Sequence, residues 1–266
     1  MFRLALHCCK KLRQTNMRSY IKKHISPQIR NRIRSLQPYF LFKKSSYAQS
    51  GEDIIINFLL DMMSDKSARS YLDIGANHPF HLSNTALLYQ NGGRGVLVEP
   101  DPYFAKLLRK KRPRDIVIES GVHFSGGQTA DFYVMDSPTL NTFSEEEMLR
   151  YVAMGHKLTN TIKVSLLNVN SILESIGELD FLNIDIEGLD FAVLQMIDWK
   201  KYRPKCVCVE TIAYEKNKEP EKLKEIINLM QGNDYLLYAD TFINSIFVDK
   251  YQWQNHWNQV KVSKRI

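Results

Sequence analysis

The sequence predicts an α/β domain built on a mostly parallel sheet with helices on both faces. Three observations lead there. From residue 45 onward, short apolar strands alternate with helical patterns at the spacing that crossovers between parallel strands require. Polar turns carrying acids or glycine follow successive strands, as expected where the strand ends of such a sheet face a ligand. The 266 residues, 44% hydrophobic and 24% charged, suffice for one domain with a substantial core and exclude wholesale disorder. Apolar runs such as Ile54–Ile56 and Phe58–Leu60 fall far short of the ~20 residues a membrane-spanning helix needs. Twelve glycines and nine prolines without a repeat period exclude collagenous and solenoid architectures.

A basic arm, residues 1–44, precedes the domain. It holds twelve of the 36 Lys and Arg residues and none of the 29 Asp and Glu, leaving 24 basic against 29 acidic residues in the body. The net charge of +7 therefore belongs to the arm. A mildly acidic body argues against a nucleic-acid enzyme, whose cleft would be basic as well. Ile25, Ile29, Ile33 and Leu36 recur at helical spacing, so the arm is expected to be partly helical, packed on the body with a solvated basic face. The alternative is contact with an anionic membrane surface or an acidic partner. Residues 1–9 are too short for a secretory apolar stretch. Of the four cysteines, Cys8 and Cys9 are adjacent, while Cys206 and Cys208 share one face of an apolar strand and read as small hydrophobes. This is no disulfide framework, and C-x-C spacing suits tetrahedral zinc poorly. The expected compartment is a reducing one, the cytoplasm, with peripheral attachment at the inner face of the membrane as the arm's refinement.

The domain, residues 45–266, opens with a helix over Asp53–Met63, its first turn favoured by Glu52. A strand at Ser70–Ile74 ends in Gly-Ala-Asn, and a helix over Ser83–Gln90 is closed by Asn91-Gly92-Gly93. Pro79, lacking an N–H, suits an early helical position. A buried strand at Gly95–Val98, a helix over Tyr103–Lys111 and a strand at Ile116–Ile118 follow. Residues 124–165 read as an insertion with short strands, a loop and a helix over Glu145–Tyr151. Next come a helix over Val169–Ile176, a strand at Phe181–Ile184, a helix over Phe191–Met196 and a strand at Cys206–Val209. A helix over Glu219–Gln231 and strands at Tyr235–Ala239 and Ser245–Val248 complete the core.

The residues at the strand ends carry the chemistry. Asp73 emerges from an apolar strand, Gly75 lets the backbone turn and approach a ligand closely, and Asn77 completes a G-x-N-x-P turn. The G-x-G-x-x-G pattern of a dinucleotide site is missing, and the turn better fits a ligand with an amino-acid end. Glu99, ending the second strand, is placed to accept both ribose hydroxyls of an adenosine. After the third strand, Gly121 and Val122 would flank an adenine face. Asp185 and Glu187 follow the fourth strand and Glu210 the fifth. The bland reading of Asp185 and Glu187 is an acidic first helical turn. Several carboxylates converging on one edge point instead to proton abstraction or to a divalent cation, which the pattern allows without requiring. His78, His81 and His123 each follow a strand and are further base candidates.

On these residues the sequence resembles the FkbM-type S-adenosylmethionine-dependent methyltransferases. The matching stretches are Gln49-Ser50-Gly51-Glu52-Asp53, Leu72–Pro79, Val98-Glu99-Pro100, Phe181–Gly188 and Thr241–Val248, over roughly residues 46–250. Many members carry glycine where this chain has Pro79. The resemblance implies a class I methyltransferase, Rossmann-like fold with a seven-stranded sheet whose last strand is antiparallel. It further implies S-adenosyl-L-methionine as cofactor and O-methylation of a glycan or secondary metabolite. In such a fold Asp73 lies near the methionine amino end, Glu99 holds the ribose and Gly75 admits the cofactor closely. A base within reach of the acceptor hydroxyl would be Asp185 first, then Glu187 or Glu210. Two other classes compete: a nicotinamide-dependent oxidoreductase, held down by the missing glycine pattern, and a non-catalytic glycan-binding or scaffolding module on the same fold.

Overall fold

The computed structural model describes residues 44–63, 68–122, 128–213 and 221–263. The arm's helical stripe, Cys8, Cys9 and His123 lie outside them. Helix α1 (Glu52–Met63) leads into strand β1 (Ser70–Ile74), followed by α2 (Ala86–Gln90), β2 (Arg94–Val98), α3 (Pro102–Lys111) and β3 (Ile116–Ile118). After the short β4 (Gly121–Val122) come β5 (Thr129–Met135), α4 (Glu145–Ala153) and β6 (Leu158–Leu167). The chain continues through α5 (Val169–Ile176), β7 (Phe181–Ile184), α6 (Asp190–Met196), β8 (Cys206–Glu210), β9 (Ile212–Ala213) and β10 (Glu221–Lys222). It closes with α7 (Lys224–Gly232), β11 (Tyr235–Asp240), β12 (Asn244–Asp249) and α8 (Lys250–Ser263).

Seven strands form the central sheet in the order β11-β12-β8-β7-β1-β2-β3. The run from β8 to β3 is parallel, and β12 is antiparallel to both its neighbours. This is the expected seven-stranded sheet with one reversed strand. Alternation along each strand sorts side chains onto two faces. Leu72 and Ile74 pack on one face with Leu182, Ile184, Val207 and Val209, under α5, α6 and α7. Tyr71 packs on the other with Phe181, Cys206, Cys208 and Ile246, under α1, α2 and α3. Both thiols are free and fully buried, the small-hydrophobe role read from the sequence.

Several element expectations are corrected. Ser83, Asn84 and Thr85 are not helical; their side chains join a buried polar network, so α2 starts only at Ala86. Pro79 opens no helix either. Residues 76–85 form an irregular segment that takes positive φ at Asn77 and Leu82. In place of short strands, the insertion holds one long antiparallel ribbon, β5 against β6, outside the central sheet. The helix expected from Glu219 begins at Lys224, because Glu221 and Lys222 pair with β9 instead. Helix α8 follows the last expected strand; Trp253 and Trp257, four residues apart, share one of its faces, and Trp253 packs against the Tyr71 side of the core. Buried Glu52 and Asp53 hold the sheet's rim together: Asp53 accepts from Ser46 and the Tyr47 amide, and Glu52 from Thr241 and Asn244. No helix among the described residues is long and apolar enough to cross a membrane.

Candidate functional site

The parallel register sets the ends of β2, β1, β7 and β8 side by side, so Glu99, Asp73, Asp185 and Glu210 share one edge of the sheet. All four line a single cavity of about 360 Å³. Its opposite wall comes from the insertion, through Phe132, residues 138–143, Arg150 and Tyr151. Four hydrogen bonds pin that wall to the strand ends: Asn77 Nδ2 to the Pro138 carbonyl (3.0 Å), Asn141 Nδ2 to Asp101 (3.1 Å), Thr142 Oγ1 to the Glu187 carbonyl (3.0 Å), and Tyr151 Oη to Glu187 Oε2 (2.6 Å).

Asp73 is buried, and both its oxygens are engaged. Asn183 donates to Oδ1 at 2.9 Å and Thr85 to Oδ2 at 2.5 Å. A carboxylate offers about four lone pairs, so each oxygen can still accept from the cavity side. Burial raises the Asp73 pKa, against the opposing charge of Arg112. Glu99 accepts the amides of Asn77 (2.7 Å) and Asp101 (2.8 Å). Burial nonetheless lifts it to about 8. Asn77 thus serves Glu99 with its backbone and the insertion with its side chain.

Gly75 departs from its expected role in one respect. At φ 84° its missing Cβ would stand 1.9 Å from the Asp185 carbonyl oxygen. The close approach it permits is between the loops after β1 and β7. Gly121 and Val122 do not reach the large cavity. They line a small neighbouring void with Gly75, Pro100 and Ser120, and Phe143 borders both spaces. Gly121 is needed there, since a Cβ would meet the Phe143 ring at 2.6 Å. Ser120 Oγ, buried in the same place, has no hydrogen-bond partner among the described residues.

Asp185, Glu187 and Glu210 do come together, each offering an oxygen within 4.8 Å of the others. That spacing suits a shared proton or a bridging hard cation. Burial and then the neighbouring Glu187 charge push Asp185 well up. Burial lifts Glu210 to about 10, and Glu187 to about 7, with the Tyr151 hydroxyl pulling Glu187 back. Glu187 sits at φ 54° and Gly188 at φ 93°, a left-handed pair that turns the chain away from β7. For Glu187 that conformation costs roughly 1–3 kcal/mol. The acid in the first turn of α6 is instead Asp190, whose Oδ1 ties back to the Ile186 amide in the loop before the helix. His78 is engaged in its own turn, accepting the amides of Phe80 and His81, while His81 lines the cavity.

Sequence reasoning missed Asn84, Thr85, Arg112, Asn183 and Tyr151. Asn183 had a signal, a lone amide inside an apolar strand. Arg112 had none, because Arg109–Arg114 reads as a solvated basic run.

The sequence family described as methyltransferase FkbM domain matches residues 73–237. No curated protein sequence matches the chain. Among solved structures, a TehB-like SAM-dependent methyltransferase from Corynebacterium glutamicum superposes with TM-score 0.39 at 10% identity, over 84% of this chain and 97% of that one. An O-methyltransferase from Bacillus cereus in complex with SAH gives 0.36 at 13% identity, over 86% and 96%. For the 1,6-didemethyltoxoflavin-N1-methyltransferase of Burkholderia thailandensis the values are 0.38, 10%, 74% and 76%.

Proposed function

The chain belongs to the FkbM methyltransferase family, and from that premise we propose that it methylates a hydroxyl of a glycan or small secondary metabolite, with S-adenosyl-L-methionine as donor. The observation that carries this reading is the convergence of Asp73, Glu99, Asp185, Glu187 and Glu210 on one cavity. An acid-lined cleft favours a cationic sulfonium ligand and loses that attraction once the sulfur becomes neutral, which helps product release. The residues present fit such a ligand. Glu99 would accept the ribose hydroxyls, and Asp73 would take the methionine ammonium. Ser120, whose buried hydroxyl has no partner among the described residues, lies in the neighbouring small void, and would meet the adenine edge only if the ligand opened that void.

When bound, the donor supplies a sulfonium-activated methyl group. The chain's task is to align the acceptor oxygen with it, exclude water and take the hydroxyl proton. Asp185 and Glu187 share that last role, with Glu210 as their neighbour, and Glu187 is poised nearest neutral pH. Asp185→Asn should leave donor binding intact and lower turnover by about 10²–10⁴. Full activity in that variant removes Asp185 from the mechanism. Activity lost on chelation and restored by Mg²⁺ moves Asp185 and Glu210 to metal ligands. Transfer of labelled methyl groups into extracts fractionated as glycan, lipid, protein and small molecules tests the acceptor class. Absence of any transfer would favour a non-catalytic binding module.

The domain organisation proposed is the arm, residues 1–44, followed by a methyltransferase domain, 45–266. The arm is proposed to hold a cytoplasmic enzyme at the membrane's inner face, at about 1 kcal/mol per basic residue near an anionic surface. Anionic liposomes should pellet the full chain at low salt and not one lacking residues 1–40. Equal pelleting of the two rejects the tether.

A further inference from the structure

Behind Asp73, on the side away from the cavity, a polar chain runs into the core. Thr85 Oγ1 donates to Asp73 Oδ2 at 2.5 Å, and Arg112 Nη1 donates to Thr85 Oγ1 at 3.0 Å. Thr85 and Arg112 are both fully buried. The guanidinium is held in turn by Asp115, 2.7 Å from its Nε, and faces the rings of Tyr71 and Tyr89 at 5.4 and 5.2 Å.

Two features set this chain apart from ordinary packing. Thr85 stands at the N-cap of α2, where a threonine hydroxyl normally accepts a helix amide, yet it caps nothing and is turned to Asp73. Arg112 is a fully buried cation whose Nη2 has no hydrogen-bond partner among the described residues. A buried charge at that cost is weak evidence for stability and calls for another role.

We propose that Thr85 and Arg112 are positioning residues for donor binding, fixing the Asp73 carboxylate and balancing its charge so that it faces the positive methionine end. This rests on the cleft being the S-adenosylmethionine site. Burial drives Asp73 towards its neutral form, and Arg112 is the largest opposing influence, aided by the Thr85 and Asn183 hydrogen bonds. Asp115 acts in the other direction, and Asp73 repels the charged forms of Glu99 beyond β2, Asp185 beyond β7 and Cys208 on β8. A protonated Asp73 no longer attracts an ammonium group. Weakening the chain should therefore add to donor affinity a pH dependence, relative to wild type, that simple loosening of the fold does not.

The test is calorimetric titration of the full-length chain with S-adenosylmethionine from pH 6 to 9, with unliganded melting curves as a control. Thr85→Val keeps the shape and removes the hydroxyl; Thr85→Ala serves if valine is not tolerated. The expected result is binding about tenfold weaker than wild type at the acid end of the range, the deficit shrinking as pH rises, with Thr85→Ser close to wild type. Arg112→Gln should show the same trend more strongly. Wild-type affinity in a folded Thr85→Val, alongside weakened binding in Asp73→Asn, overturns the relay while leaving the site intact. A deficit equal at every pH also overturns it. Failure of the wild-type chain to bind the donor overturns the reading of the cleft itself.

Discussion

Glu99 illustrates what a single side chain does at the rim of such a sheet. Its two amide bonds fix its direction, and burial still holds it near 8, so at neutral pH it is mostly protonated. Ribose hydroxyls donate best to the ionised form. Donor affinity should therefore tighten as pH rises through about 8. Glu99→Ala should weaken binding by about 1.5–3 kcal/mol, the range for hydrogen bonds to a charged group. Calorimetry on the folded variant checks it, and an unchanged affinity removes Glu99 from the site. Asp73 and Glu99 were legible in the sequence because a carboxylate ending an apolar strand has few structural reasons to be there. Arg112 and Thr85 were not. One is hidden in a basic run, the other in a polar Ser-Asn-Thr stretch, and only the fold brings them behind Asp73. Gly75 was legible as a required glycine, but its reason is the Asp185 backbone, which lies over a hundred residues away and gives no local signal.

At the scale of elements, helix α4 and the segment before it form the roof of the cleft. Ser144 caps α4, three glutamates occupy its first turn, and Met148 and Tyr151 pack with Met135 into a small core of the insertion's own. The Tyr151 hydroxyl then reaches down to Glu187. That bond favours the charged carboxylate, so Tyr151→Phe should raise the Glu187 pKa above about 7. A base must be unprotonated to act. The rising limb of the pH–rate profile should therefore move to higher pH, with turnover falling most below pH 7 and recovering by pH 9. An unmoved limb would show that Glu187 does not set the profile. The sheet and its helices were largely readable, because period-two and helical patterns are local. The insertion's ribbon was not. Only the second half of β6 alternates, through Ile162, Val164 and Leu166; the first four residues, Leu158–Thr161, are exposed, and the register depends on pairing with Thr129–Met135 across the roof.

For the whole molecule, the gathering of buried acids on one edge has a thermodynamic consequence. Glu99, Glu187, Asp190 and Glu210 are lifted to about 8, 7, 6 and 10, each mainly by burial. In the unfolded chain these groups titrate near 4. Between that pH and each folded value the native state binds more protons than the unfolded state, so stability must fall as pH rises. The loss begins near pH 4 and continues through the folded values to about 10. The exposed Asp136 and Glu174 shift the opposite way below pH 4; inside the window burial lowers His78, a single group acting against the four acids. A loss of a few kcal/mol, at about 2–4 °C per kcal/mol for a domain of this size, lowers the melting temperature by on the order of 10 °C between pH 5 and 9. Glu99→Gln should flatten the part of the decline below about 8. A cationic donor that prefers the ionised acids should offset it, so stabilisation by saturating S-adenosylmethionine should grow with pH. Melting curves at pH 5, 7 and 9, with and without donor, decide the matter. A melting temperature that rises over this range would mean that these carboxylates are charged in the native cleft, and that something other than a proton balances them.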